Sequence, residues 1–437
     1  MCTTAPRSFG LLLGCVLALG VAASPARHAG DDWPPKKTPK EAGVDEKALA
    51  DLVEKARAAK SDALVILVDG ALVCEEYFDQ PQEPIELMSC TKSGVNLLVG
   101  MLVDEKKIAS VDAPVSTWFP EHVDWKSGPK KEVTVGHLLS HTSGLKCNRT
   151  TEEIYASRNF VKLALEAELA DPPGTRFFYN NKAVNLLAGV IEKASGKKMD
   201  EFARERLFEP LGINEFGWTK DDAGNPHGMS GLQLHAIDFA AIGQLMVQGG
   251  EWEGERIVSE EWIAASTKPA HPELGADAGR CGWLWWLDAE PGACFFDDEL
   301  LARWKKAGGS ERLLAVGKEL CGKRCKDVDE MRVALRAAVT KVSAKDATGG
   351  AAPDLGWFDP EVNQLGVPFW KETPGPSIGF RADGYLGNYL VVRPAKRLVA
   401  VRQRRYPKDE AELGAPKYAF GDFAQLVGKL VSRPRSK

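Results

Sequence analysis

The spacing of apolar residues changes several times along the chain, and each change marks an element. Leu49, Leu52 and Val53 share one face of a helix predicted over Asp45–Ala59. The continuous run Ala63–Val68 and the run Ala71–Cys74 flank Asp69-Gly70, the favoured two-residue turn of a β-hairpin. Helical spacing returns after Ser89, where Val95, Leu98, Met101 and Leu102 recur over a long stretch and predict a buried central helix. Further helices are predicted at Val135–Leu139, Phe160–Ala170, Lys182–Ser195 (ended by Gly196), Ile237–Met246 and Val258–Ser266. Trp283–Leu287 reads as a strand. Three helices follow near 298–306, 311–322 and 328–345, then a stretch rich in Gly, Pro and aromatics. Strand patterns resume at Gly379–Ala382, Asn388–Val392 and Arg397–Arg402, with a turn at Pro394–Lys396 and a last helix over about Tyr418–Val431. Strands at both ends with helices between them predict an α+β fold, in which N- and C-terminal strands share one antiparallel sheet flanked by helices.

Composition adds bounds to this picture. Apolar residues at 44% and charged residues at 27% are ordinary for a globular protein. A net charge of −5 gives no electrostatic reason to expect nucleic acid or an anionic membrane as partner. The first residues read as a secretory signal: Arg7, an apolar run Phe9–Ala23, then small residues before Ser24-Pro25. Cleavage is expected after Ala23, giving an exported, periplasmic or extracellular chain with no integral membrane segment. Leu12-Leu13-Gly14-Cys15 has the outline of a lipoprotein box, but too little apolar sequence precedes the cysteine, so lipidation is not expected. Residues 24–44, rich in Pro, Lys and Asp at their start, read as a linker, and 45–437 as one domain. Removing Cys2 and Cys15 leaves seven of nine cysteines, an odd number, so at least one thiol should stay free. Cys294, Cys321 and Cys325 lie close enough in sequence for a local disulfide. No histidine pair stands near them at metal-ligand spacing, so no metal is implied.

Ser-x-x-Lys occurs four times, at Ser89/Lys92, Ser127/Lys130, Ser143/Lys146 and Ser195/Lys198. Only the first opens a long buried helix; the second contains Pro129, the third lies in a Ser-Gly-Leu turn and the fourth crosses Gly196. At the start of a helix, free N–H groups and the dipole can hold an oxyanion formed when Ser89 attacks a carbonyl. Lys92, one turn deeper and partly desolvated, can then accept the serine proton. The alternative is a capping serine beside a surface lysine. A second feature favours chemistry: Tyr179-Asn180-Asn181 follows Pro172-Pro173-Gly174 just before a helix, and Tyr-x-Asn occurs nowhere else in the chain. A phenol can relay protons, and an amide can hold a substrate.

These motifs, in this order, resemble the serine β-lactamase, DD-peptidase and esterase superfamily, most closely its class C-like branch. The resemblance extends to His137–Leu145, Asp238–Met246, Gly249–Trp252 and Phe380–Pro394, and so to most of 45–287 and 376–431. It implies a β-lactamase/transpeptidase-like fold and acyl transfer without a cofactor. By that resemblance Ser89 is the nucleophile, Lys92 and Tyr179 move protons, Asn181 orients the substrate, and the backbone N–H groups of Ser89 and Tyr385 bind the oxyanion. It also gives His141 and Ser143 a structural part. Which of Lys92 and Tyr179 takes the serine proton is left open.

The chain departs from the family in two places. The third motif usually begins with a cation, whereas the matching residues are Ala382-Asp383-Gly384, followed by Tyr385. Gly384 keeps the close backbone approach, but the missing cation and added Asp383 argue against penicillin hydrolysis and for a small-molecule or peptide-like ester or amide. Alternation along a strand turns Arg381 away from the face of Ala382. The second departure is a mostly helical insertion at about 288–375, expected to cap the site, with a surface appendage as the alternative. The alternatives are a DD-peptidase or β-lactamase acting on peptidoglycan-like or β-lactam substrates, and a binding protein that keeps only the fold. Gly375-Pro376-Ser377-Ile378-Gly379 matches a nucleophile elbow in spacing, but it lacks the preceding strand and following helix that an elbow requires.

Overall fold

The structure, a computed structural model, describes residues 33–78, 80–148, 150–290, 292–346, 356–373, 375–407, 420–432 and 434. The predicted signal segment, residues 1–23, lies outside them. The centre of the fold is a six-stranded antiparallel sheet built from β1 (Ala63–Val68), β2 (Ala71–Glu76), β3 (Trp286–Ala289), β4 (Ser377–Gly384), β5 (Asn388–Arg393) and β6 (Leu398–Gln403). The strand order is β2-β1-β6-β5-β4-β3, so the two ends of the chain meet in the middle of the sheet. Asp69 and Gly70 both take positive φ, 52° and 74°, the twist that a two-residue hairpin loop needs.

The strands are apolar at consecutive positions because both faces of the sheet are covered. On β1, Ala63, Val65 and Leu67 join one core, while Leu64, Ile66 and Val68 join a second. The smaller core is closed by helices α1 (Glu46–Ala58) and, at the other end of the chain, α5 (Phe423–Lys429). The larger core is filled by α2 (Thr91–Asp104), α3 (Asn181–Ser195) and α4 (Ala236–Val247). Gly243 lets α4 lie directly on the sheet: a Cβ there would stand 2.6 Å from both Leu390 and Val399. Helix α2 is enclosed on all sides, every residue from Thr91 to Leu102 being buried. Its polar positions are therefore paired internally: Asn96 accepts from the indole N–H groups of Trp262 (3.3 Å) and Trp285 (3.2 Å) and donates to Ser266 Oγ at 3.1 Å.

Several boundaries differ from those read in the sequence. Residues 33–44 do not behave as a linker. Trp33 packs edge-on against Trp252 with ring centroids 4.9 Å apart, and Ala42 and Val44 are buried. Around Lys36 the segment runs beside β2, accepting from Leu72 at Pro35 O (2.8 Å) and donating from Lys37 to Leu72 O (3.0 Å). It covers an otherwise open sheet edge. The helix expected over 160–170 ends at Glu166, and the Trp-rich strand begins at Trp286. The last helix begins at Phe423; Tyr418 lies outside the described residues.

The insertion between β3 and β4 has its own core around Phe296, Trp304, Leu313, Val316 and Val339. Besides helices it carries a small three-stranded sheet of Cys294–Phe295, Arg324–Cys325 and Lys371–Glu372, pairs too short to announce themselves in the sequence. Cys294 and Cys325 stand opposite each other on neighbouring strands, but the seven described cysteines, these included, are free thiols.

Candidate active site

The expected helix at Ser89 begins differently. Met88 adopts a left-handed conformation (φ 52°), Met88–Cys90 form a single 3₁₀ turn, and α2 proper starts at Thr91. The turn still keeps Ser89 and Lys92 on one side. Lys92 Nζ donates to Ser89 Oγ at 2.9 Å and to the carbonyl of Met229 at 2.7 Å. The lysine side chain is buried, and that desolvation lowers its pKa from 10.5 to about 7. Cys90 packs away from the chemistry: its thiol donates to Asn388 O at 3.2 Å, and burial pushes its pKa well above the ordinary range.

Tyr179 arrives from the loop before α3. Asn180 caps that helix, its Oδ1 accepting from Ala183 N–H at 2.8 Å, while its Nδ2 donates to Leu145 O at 2.6 Å. The N–H of Asn180 donates to His141 Nδ1 at 3.2 Å. The His141 ring lies 4.5 Å from that of Tyr179 on one side, and Trp286 of β3 stacks on it at 6.2 Å with an interplanar angle of 14°. Lys92 Nζ lies 4.9 Å from the centre of the Tyr179 ring. Burial raises the Tyr179 pKa well above its usual value, opposed by a hydrogen bond with Ser89. His141 is driven the other way, to about 3, by burial and by the nearby Lys92. The phenol is thus protonated and the imidazole neutral at ordinary pH. Asn181, the first residue of α3, keeps its side-chain Oδ1 buried without a hydrogen-bond partner, yet it is not among the residues lining the cleft.

The third side of the site is the end of β4. A Cβ on Gly384 would stand 2.6 Å from Leu87 O and 3.1 Å from Cys90 Sγ, so glycine is what lets this strand close on the Met88–Cys90 turn. Tyr385 follows directly and opens a short turn, and its ring stacks on Tyr406 (6.3 Å, 28°). That turn is pinned by Asn388 Nδ2 on Tyr385 O (2.9 Å) and by buried Arg402, which donates to Leu386 O and Gly387 O at 2.9 and 2.6 Å. Ala382 does not face the cleft. It packs in the core, whereas Arg381 and Asp383 share the opposite strand face. Arg381 pairs with Asp288, and its Nε lies 3.3 Å from Asp383; Asp288 is held in turn by Arg393 at 2.8 Å. Ser377 is exposed at the first position of β4 and followed by strand, so the elbow spacing has no elbow behind it.

Ser89, Lys92, Ser93, His141, Tyr179, Cys281, Leu284, Trp285, Trp286 and Asp383 line one small cleft. None of them belongs to the insertion. The sequence motifs named the serine, lysine and tyrosine. Trp286 and His141 owe their places to the pairing of β3 with β4 and to the loop packing under Tyr179, which no local pattern announces.

A family model described as Beta-lactamase matches residues 49–318, well over half of the chain. The chain belongs to the Beta-lactamase family. Among individual proteins, it is 32% identical over 139 residues to "Penicillin-binding protein 4*" of Bacillus subtilis, a match covering 30% of this chain and 29% of that one. It is 25% identical over 261 residues to the 6-aminohexanoate-dimer hydrolase of Paenarthrobacter ureafaciens, covering 53% and 63% respectively. These matches therefore span less than two thirds of either relative. In fold, it is similar to EstCE1, described as a hydrolase with promiscuous acyltransferase activity, with a TM-score of 0.55 at 13% identity over 87% of this chain and 100% of that one. The likeness in fold thus extends to both sides of the insertion.

Proposed function

We propose that this chain is a serine hydrolase that cleaves an ester or amide of a small acyl group through an acyl-enzyme on Ser89. The observation that carries this reading is the buried Lys92 amine 2.9 Å from Ser89 Oγ, with its pKa lowered to about 7. A lysine so placed is available in its neutral form, and it can take the serine proton as Oγ attacks the carbonyl. Tyr179 cannot readily take that proton first, because burial holds its phenol protonated. It suits the complementary role, in which its hydroxyl donates to the leaving group while the Lys92 ammonium restores the proton. The N–H groups of Ser89 and Tyr385 are the oxyanion donors of this scheme; Asn181, expected to orient the substrate, lies outside the cleft lining with its Oδ1 buried. Water, activated by the same lysine, then releases the acyl group and restores the serine.

The penicillin and DD-peptidase reading is less well supported, since the cleft face of β4 offers a carboxylate, Asp383, and its neighbouring Arg381 is already engaged by two aspartates. Intact-mass measurement after exposure to a fluorophosphonate, an activated ester and a penicillin tests both. The proposal expects an adduct on Ser89 from the first two that is lost in Ser89→Ala, with little from penicillin; no adduct from any reagent would overturn it. The N-terminal pattern supports export, and a mature N-terminus at Ser24 in the secreted protein is the matching test.

A further inference from the structure

One charged group in the cleft has no part in acyl transfer. Among the lining residues Asp383 is the only carboxylate; Lys92 is largely discharged above pH 7 and His141 is neutral. Asp383 does not stand alone. Arg381 is opposite Trp286 in the β3–β4 register, and Asp383 is two residues further along β4, so all three side chains share one face of the sheet edge. Trp286 in turn stacks on Tyr179. The cleft lining therefore includes one carboxylate on the same sheet face as Trp286, whose ring is nearly parallel to that of Tyr179.

That combination selects charge. Carboxylates attract cations, and so does the negative face of a Trp ring; the two faces of the Tyr179 ring are already covered, by His141 and Trp286. Arg381, shared between Asp288 and Asp383, offsets this preference only in part: Arg393 also holds Asp288, at 2.8 Å, so the two arginines and two aspartates balance, and Arg381 reaches a single oxygen of Asp383, through Nε at 3.3 Å. The same sharing leaves Arg381 poorly placed to receive a substrate carboxylate, which would have to displace one aspartate and approach the other.

Building on the acyl-enzyme reading above, we propose that the cleft is selective for acyl groups bearing an ammonium cation, held by Asp383 beside the Trp286 ring. The substrates are then esters or amides of amino acids or of ammonium-substituted short-chain acids. Asp383 acts here as a specificity residue and takes no proton in the reaction.

Three p-nitrophenyl esters of similar shape test this in the full-length protein: 4-(trimethylammonio)butanoate, its uncharged isostere 5,5-dimethylhexanoate, and the half-ester of glutarate. The expected order of kcat/KM is cationic over neutral by about tenfold, equivalent to roughly 1.4 kcal/mol, with the anionic ester slowest. In Asp383→Asn the cationic-to-neutral ratio should fall towards one, in Asp383→Glu it should be largely kept, and in Asp383→Lys the anionic ester should overtake the cationic one. A wild-type protein that prefers the neutral or anionic ester overturns the proposal without needing any variant to fold. So does a ratio unchanged in a folded Asp383→Asn. Such results, with fluorophosphonate still labelling Ser89, would leave the hydrolase reading standing; failure of the label would remove both.

Discussion

Lys92 gives the most direct test of the chemistry, because its environment fixes a pH at which the protein should switch on. A lysine moved from 10.5 to about 7 is disfavoured in its charged form by roughly 5 kcal/mol relative to water. Desolvation is the main cause, since the groups around Nζ are the neutral Ser89 hydroxyl, the Met229 carbonyl and the Tyr179 ring. The neutral amine is the competent base, so reactivity is full well above pH 7 and is lost as pH falls through about 7. The neutral fraction is about one half at pH 7 and about one hundredth at pH 5, which sets a drop of roughly 50-fold in acylation rate over that interval. Labelling of Ser89 by a fluorophosphonate, followed by intact mass from pH 5 to pH 9, reads this directly, because the reagent itself does not titrate. Lys92→Arg, which keeps the charge but cannot deprotonate in this range, should remove the rise altogether. A wild-type rate that is flat between pH 5 and pH 8, or one that rises only above pH 9, would show that burial does not discharge this lysine and would refute the argument.

The other expectations follow from single contacts. Tyr179→Phe keeps the ring between His141 and Trp286 but loses the hydroxyl, so turnover should fall by about 10²- to 10⁴-fold while the melting temperature hardly moves, as steady-state kinetics and calorimetry would show. Gly384→Ala drives a methyl group against Leu87 O, the start of the nucleophile turn; a loss of roughly 1–3 kcal/mol in urea unfolding, together with slower labelling of Ser89, is expected. Asn96→Leu removes the shared acceptor of two buried indole N–H groups and should cost about 2–5 kcal/mol, measured by the same unfolding experiment, even though Asn96 lies outside the cleft lining.

Much of this fold was legible in the sequence because its elements are marked locally. The Asp69-Gly70 hairpin, the long apolar helix after Ser89 and the terminal strands all appear where pattern and turn chemistry place them, and the antiparallel sheet that joins both ends of the chain follows from them. What was not legible depends on partners distant in sequence. Residues 33–44 look like a linker until Leu72 offers them a strand edge, and two-residue strands such as Cys294–Phe295 exist only through their neighbours. The site divides in the same way. Ser89, Lys92 and Tyr179 are named by spacing, and the structure brings them together. Strand alternation correctly set Arg381 apart from Ala382, but which of the two faces met the cleft was decided by the pairing of β4 with β3, and it proved to be that of Asp383. Among the described residues, no insertion residue lines the cleft, and a helical pattern tells how a segment folds, not what it covers.

The attachment of that insertion has a consequence for how such a protein can change over time. Ala289 and Ser377, where the chain leaves and re-enters the sheet, are paired partners on adjacent strands. The intervening segment carries its own core, so its two stalks are already held together by the host, and closure cost grows only slowly with loop length. Residues 290–376 thus form a cassette that can be lengthened, shortened or exchanged without re-registering a single strand. The same stalks run straight into the cleft, Trp286 three residues before the exit and Asp383 six residues after the return. A lineage that swaps the cassette leaves Ser89 and Lys92 untouched and still has a mechanical handle on Trp286 and Asp383, two residues of the cleft lining.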